Sequence, residues 1–496
     1  MSGVSDRRDL ELLIKSRNPI VGIESHEENR VLKLLVDIAR DLNKPMFTWD
    51  IVDGLKRSGL LDEFDALAET SKPEEMLRHI LAAHRPSIYV LCDFHPYVED
   101  SPAITRLLKE FILNQSEHGH TLVLVSHQLK LPEEIKRFVS RFELELPGKD
   151  QLNRMIRREA TIWAQRNGKK VRTDSRTLER LINNLHGLTL SDATRLVRNV
   201  ITDDGAITED EIPAINKAKF ELLNMDGVLS FEYETSKFAE VGGLNNLKRW
   251  LQQREVVFHR RVEIELDPPK GLMLVGVQGG GKSLAAKAVA GMWSVPLLRL
   301  DFGTLYNKYH GETERNLREA LKMAELMAPC VLWFDEIEKG LSTQDHDGGT
   351  SQRVLGTLLT WMAENDKPVF VVSTANDISR LPPELIRKGR LDEIFFVDLP
   401  DSSAREEIFA IHLTKRKQNK DNFNLSMLAK ESEGFTGSEI EQAVVSALYH
   451  CYGQDTVLST EIIIDEIRNT RPLSVVMAEK LTALRQWAQE RTVLAN

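Results

Sequence analysis

The sequence predicts an α/β fold: a parallel sheet carrying a phosphate-binding loop and followed by a helical lid, with a second α/β module of the same plan ahead of it. Three observations carry that expectation. An apolar run, Leu272–Val275, breaks into a glycine-rich loop and resumes as an alanine-rich helix; a second apolar run, Cys330–Phe334, ends in two acids; and landmarks of this half recur in the same order nearer the N-terminus.

The glycine-rich loop reads Gly276-Val277-Gln278-Gly279-Gly280-Gly281-Lys282-Ser283 and runs on into Leu284, which is GxxxxGK[ST] between a strand and a helix. Glycines let the backbone curl so that its N–H groups point at phosphate oxygens, and the helix N-terminus adds its positive dipole end. Lys282 is placed to reach the β/γ-phosphates and Ser283 to ligate Mg²⁺. In the second run, Asp335 follows Ser283 by 52 positions and can hold Mg²⁺ through water, while Glu336 can polarise the water that attacks the γ-phosphate. The pairing points to nucleoside-triphosphate hydrolysis. After the next strand, beginning at Pro368, Asn376 is placed to orient that water, although an ordinary loop residue is the alternative. Arg387 and Arg390, three residues apart, can offer guanidinium groups to a γ-phosphate, or can be solvated surface arginines.

Taken in order, these residues resemble the AAA+ ATPases, specifically the classical AAA clade. Asn376 matches the clade's sensor-1 position, and LIRKGRLDEIFFVDLP the end of its second region of homology. The resemblance implies that Arg387 and Arg390 face the nucleotide of a neighbouring subunit. It implies that Val241, Gly242, Gly243 and Leu244 line the adenine pocket, and that Gly437, in Gly434-Phe-Thr-Gly-Ser-Glu439, opens the lid helix beside the nucleotide. It also implies ATP and Mg²⁺, a homo-oligomeric ring (a hexamer) and an unidentified protein client or regulatory partner. Tyr309, His310 and Gly311 match the first pore loop of such rings; the bland alternative is a loop capping the helix 312–328. The chain departs from the clade in having Val277-Gln278 for Pro-Pro, Gly280 for Thr, and His310 for a hydrophobic residue. The ATPase module with its long upstream half is most similar to AAA proteins encoded as an open reading frame in cyanobacterial genomes and algal plastids.

Length allows about three domains of roughly 150 residues in 496. The large ATPase subdomain is read as 237–400 and the lid with a final helix as 401–496, the helical stretches being Ser403–Leu413, Leu425–Leu428, Glu439–Tyr452 and Ala478–Ala488. Residues 203–236 read as a linker. Upstream, residues 1–202 read as a degenerate AAA-like domain without a phosphate loop, in which 1–150 form the large subdomain and 151–202 lid-like helices. Pro19–Glu24, Ser87–Asp93 and Thr121–Ser126 parallel strands of the ATPase, LPEEIKR parallels LPPELIR, and Gly187–Val197 parallels Gly434–Val444. Where the cradle belongs, this copy has Glu24-Ser-His-Glu-Glu28, whose acids repel a triphosphate, and Asp93 is followed by Phe94 rather than by a water-activating glutamate.

Composition limits the partners. No apolar run approaches the roughly 18 residues that span a bilayer, and MSGVSDRRDLELL has no apolar signal core, so a cytoplasmic protein without a membrane partner is expected. Cys92, Cys330 and Cys451 lack metal-site spacing. A net charge of −10 disfavours nucleic acid. The leading functional expectation is ATP-driven remodelling of a protein client; the alternatives are a nucleotide-gated scaffold or sensor working through the N-terminal domain and, last, a nucleic-acid remodeller.

Overall fold

Continuous apolar runs such as TLVLVS and GLMLVG suit strands buried on both faces, where side chains alternate between two helix-covered layers. The computed structural model describes residues 2–58, 67, 69–99, 101–223, 228–232, 241–259, 266–306, 313–341, 350–387 and 389–496. It divides into two units, Met1–Ile207 and Thr208–Asn496.

Among the described residues, the first unit has six strands in one sheet: β1 (Ile20–Glu24), β2 (Met46–Asp50), β3 (Gly54–Ser58), β4 (Ile88–Cys92), β5 (Thr121–Ser126) and β6 (Val139–Phe142), in the order β3-β2-β4-β5-β1-β6. A short pair, β7 (Arg172–Thr173) and β8 (Ala206–Ile207), sits among the helices Lys149–Asn167, Ser175–Leu185 and Leu190–Asp204. The second unit has β9 (Leu229–Glu232), β10 (Gly271–Gly276), β11 (Leu297–Leu300), β12 (Cys330–Phe334), β13 (Val369–Ala375), β14 (Glu393–Val397) and β15 (Val493–Leu494). Their order, read from the β9 edge, is β9-β11-β12-β13-β10-β14-β15.

Both sheets are one permutation. In each, the first long parallel strand lies between the fourth and fifth, and an antiparallel strand covers the far edge, β3 on β2 and β9 on β11. Alternate residues feed separate layers: Leu272, Leu274, Val331, Trp333, Phe370 and Val372 face one core, and Met273, Val275, Leu332, Phe334 and Val371 face the other. The first sheet divides in the same way, with Tyr89, Leu91, Leu122 and Leu124 opposite Ile88, Val90, Val123 and Val125. The lid parallel extends to the caps. Thr189 accepts from the Asp192 amide just as Thr436 accepts from the Glu439 amide, and each follows a positive-φ glycine, Gly187 or Gly434.

Strand register and connectivity change two sequence readings. β1 pairs Glu24 with Ser126 and β10 pairs Val275 with Ala375; by the same count Cys92 takes the place of Asp335, and Asp93 that of Glu336. Asp93 and Glu336 share the left-handed conformation, both at φ 49°. Beyond LPEEIKR the described residues of the first unit hold no counterpart of Arg390 in a loop: Arg141 lies inside β6 opposite Gly22, and only two residues separate the short helix Glu133–Lys136 from that strand. The stretch 203–236 is more than a linker: it supplies β8, the helix Ile212–Leu222 and the edge strand β9. The helix Ala478–Gln489 packs Leu484 and Ala488 into the large subdomain's core, and β15 extends that sheet, so the last residues return from the lid to the α/β body.

Candidate nucleotide site

β10 ends where the loop must turn sharply beneath β14. A Cβ on Gly276 would stand 2.1 Å from the Val397 carbonyl oxygen, so no larger residue fits. Gly281, at φ 92°, caps the helix Lys282–Trp293 in a conformation that favours glycine. The turn leaves backbone N–H groups and the helix N-terminus facing a cleft of about 510 Å³. Gln278, Gly279, Gly280, Gly281, Lys282, Ser283 and Leu284 line it; Gly276 and Val277 stand behind.

Lys282 is buried, and its Nζ donates to the carbonyls of Gly276 at 2.9 Å and Val277 at 2.7 Å. Burial pushes its pKa down to about 8 against the opposing pull of Glu338, Asp335 and Glu336. Across the cleft, Thr374 donates its hydroxyl to Asp335 Oδ1 at 2.8 Å, and Arg299 donates to Oδ2 at 3.0 Å. The Glu336 amide donates to the Thr374 hydroxyl at 3.0 Å, and Asn376 Nδ2 donates to Glu336 Oε1 at 2.8 Å. Lys339 pairs with the other Glu336 oxygen. Behind them, buried Glu338 accepts from the Asn376 amide at 2.9 Å; burial raises its pKa, and its second oxygen has no hydrogen-bond partner. The donors that would hold Mg²⁺, the Ser283 hydroxyl and the Asp335 carboxylate, are hard oxygens lining the same cleft and fit that ion.

The predicted adenine end is built from Val241, Gly242 and Leu244, which line the cleft; Gly243 does not, and donates its amide to Glu407 at 2.9 Å. Gly437 lines the lid side, with the Ser438 amide donating to the Gly279 carbonyl at 3.3 Å. Arg387 and Arg390 stay out of this chain's own cleft: Arg387 is exposed, and Arg390 donates to the Leu359 carbonyl. Tyr309, His310 and Gly311 lie outside the described residues.

Several lining residues escape sequence reasoning. Thr374 is signalled only as a polar residue in an apolar strand. Ile408, Ile411, His412 and Glu441 come from two lid helices, and no local pattern brings them to the loop. His412 Nδ1 is 3.6 Å from Glu441, whose carboxylate accepts from Arg416 at 2.8 Å; burial holds the imidazole below its usual pKa. Asn496 arrives from the far end of the chain, its side chain accepting from the Leu244 amide, while Ala495 accepts from the amides of Asn246 and Leu247.

The same place in the first unit is filled from within. Glu27 Oε1 accepts from the amides of Leu190 at 2.7 Å and Ser191 at 3.4 Å, the counterparts of Gly437 and Ser438 on the lid helix. Arg30 donates to Glu27 Oε2 at 2.8 Å and to Asp6 at 3.2 Å. A carboxylate of the chain therefore sits at the lid helix N-terminus, where a ligand anion would otherwise be drawn.

Residues 272–399 match the ATPase family associated with various cellular activities (AAA). Upstream, residues 6–144 match the N-terminal domain, and 150–226 the second domain, of SpoVK-like AAA ATPases. Identity to the AAA domain-containing protein ycf46 of Trieres chinensis is 34% over 485 residues, 97% of this chain and 96% of that protein. The chain belongs to the AAA ATPase family. The ycf46 protein of Guillardia theta is 33% identical over 489 residues, 97% of this chain and 94% of its own length. The proteasome-activating nucleotidase of Aeropyrum pernix is 37% identical over 224 residues, 43% of this AAA chain and 54% of that protein. The full-length likeness to the ycf46 proteins means that the first unit is shared with them as well as the ATPase. No described helix is long and apolar enough to cross a membrane.

Proposed function

We propose that this chain hydrolyses ATP with Mg²⁺ and, as a homo-oligomeric ring, uses the turnover to remodel a protein client in the cytoplasm. The observation that carries the reading is the convergence of Lys282, Ser283, Asp335, Glu336 and Asn376 on one cleft, with Asn376 holding the Glu336 carboxylate at 2.8 Å. Lys282 exchanges its two loop carbonyls for β/γ-phosphate oxygens, and the loop amides and the dipole of the following helix hold the rest of the chain of phosphates. Ser283 and Asp335 would hold Mg²⁺, which when bound would supply positive charge against the negative charge that develops in the transition state. Glu336, oriented by Asn376, accepts a hydrogen bond from the attacking water, which adds to the γ-phosphorus as the bond to the ADP oxygen breaks. Arg387, exposed and out of its own cleft, is read as serving a neighbouring subunit, and Arg390 as joining it after releasing the Leu359 carbonyl.

A nucleotide-gated scaffold is the second reading, favoured by a first unit whose lid is already closed on Glu27. Two variants test the chemistry. Lys282→Ala should lose nucleotide binding, and Glu336→Gln should bind ATP with near-normal affinity and turn it over at least about 100-fold more slowly; near-normal turnover by the second variant overturns the role given to Glu336. Tyr309→Ala separates the readings, since it should stop client processing and spare ATP turnover only if loops grip a client. Affinity capture with Glu336→Gln in ATP should hold that client.

A further inference from the structure

We propose that Arg299 is the resting counter-ion of Asp335 and competes with the metal for it, and that Glu232 on the edge strand β9 sets the strength of that competition. The inference rests on the reading of Asp335 as a Mg²⁺ carboxylate.

The arrangement follows from the sheet. Arg299 of β11 pairs with Trp333 of β12, and Asp335 lies two residues on, so both side chains project from the same face. Glu232 of β9 pairs with Leu297, two residues before Arg299, and therefore joins them. The guanidinium divides between two carboxylates: one nitrogen is 3.0 Å from Asp335 Oδ2, the other 3.9 Å from Glu232 Oε1. Its central carbon lies 5.0 Å from the centre of the Trp333 ring. Glu232 is itself held by Lys287 at 2.9 Å, and Lys287 lies one helical turn beyond Ser283. Four alternating charges thus connect the phosphate-loop helix, the edge strand and the metal carboxylate.

The side chain is not there for packing alone. Arg299 Nε is buried without a hydrogen-bond partner, a desolvation cost that the charge pair at the tip must offset. Asp335 has its other oxygen taken by Thr374, so an arriving cation meets a carboxylate whose second oxygen is already occupied by a cation. Removing the arginine leaves more negative charge for the metal. Removing Glu232 has the opposite sign, because the guanidinium then bears on Asp335 alone. The ion pair is partly exposed, with Arg299 at 37% and Asp335 at 20%, so solvent and salt weaken both effects.

The test measures nucleotide binding without turnover. Affinity for a fluorescent ADP analogue is determined in excess Mg²⁺ and in EDTA, and the ratio of the two is compared among variants; chelation of the ion by free nucleotide is common to all of them. Arg299→Met, which keeps a stem over Trp333, should raise the ratio about 3- to 10-fold, and Glu232→Gln should lower it about 2- to 3-fold, with both changes shrinking in high salt. Shifts of the same sign, or no shift in either variant while the wild type gains affinity from Mg²⁺, overturn the counter-ion role. A wild type that binds nucleotide but gains nothing from Mg²⁺ overturns the metal reading of Asp335 and this inference with it. Should Arg299→Met fail to fold, Glu232→Gln carries the test alone, and an unchanged or higher ratio refutes the proposal.

Discussion

Gly276 sets the tolerance of the phosphate loop. A Cβ added to this glycine would stand 2.1 Å from the Val397 carbonyl oxygen, so even a methyl must push β10 and β14 apart. Gly276→Ala should therefore destabilise the second unit by at least about 2 kcal/mol, seen as a lowered thermal midpoint, before any chemistry is considered. Asn376 is under a different constraint, since its amide nitrogen and its side chain hold two glutamates, Glu338 and Glu336. Asn376→Ala should lower kcat at least about 10-fold with a smaller change in nucleotide affinity, in a comparison of steady-state turnover with equilibrium binding. Both residues are identifiable from sequence. The pairing of Asn376 with Glu336 is legible there only as a shared interest in one water, and the direct contact between them is a property of β12 and β13 lying side by side.

At the scale of elements, helix ends and strand edges decide what each half can bind. In the first unit Glu27 serves the lid helix as its own anion. Glu27→Gln keeps the shape and removes the charge, weakening charge-assisted bonds by about 1–2 kcal/mol. Amide exchange at Leu190 and Ser191 should then quicken about 10-fold, which hydrogen exchange read residue by residue can detect; unchanged protection would mean that packing alone holds this lid. In the second unit, the tail contributes Asn496 to the wall beside Leu244. Asn496→Ala leaves the Leu244 amide without its acceptor and should weaken nucleotide binding a few-fold, measured with the same fluorescent analogue. Composition alone reads the three acids of Glu24–Glu28 as repelling phosphate. Their division of labour is not legible that way, because Glu27 turns to a helix more than 160 positions away.

For the whole molecule, two consequences follow from how the elements assemble. The helix Ile212–Leu222 lays Lys219 into the ATPase core beside Cys330, and burial pushes its pKa down to about 8. The unfolded chain keeps that lysine protonated to about 10.5, so it binds more protons than the native state between those values and stability rises with pH across that window. Below about pH 8 the buried charge costs about 3 kcal/mol. Lys219→Met should raise the thermal midpoint at pH 7 and flatten the rise between pH 8 and 10. On the proposed ring, Arg387→Ala mixed with Lys282→Ala should recover partial ATPase activity at shared interfaces, and no recovery in demonstrably mixed rings would count against action between subunits.

The motifs from which the chemistry of the second half is proposed, and the α/β plan of both halves, are legible in the amino-acid sequence. A phosphate loop, an acidic strand end and a polar strand end are local patterns, legible because each needs particular residue types at fixed spacing on one strand–turn unit. The repeat was legible for the same reason: LPEEIKR and Gly187–Val197 preserve turns and caps that short stretches encode. The remaining relations arise from how the strands and helices assemble. That assembly put Asp93 in the place of Glu336 rather than that of Asp335, brought Asn496 and the lid residues to the candidate cleft, and set Arg299 against Asp335. Those relations depend on which strands become neighbours in the permuted sheet and where helices close over it. A pairing between residues far apart in sequence leaves no pattern in either segment alone.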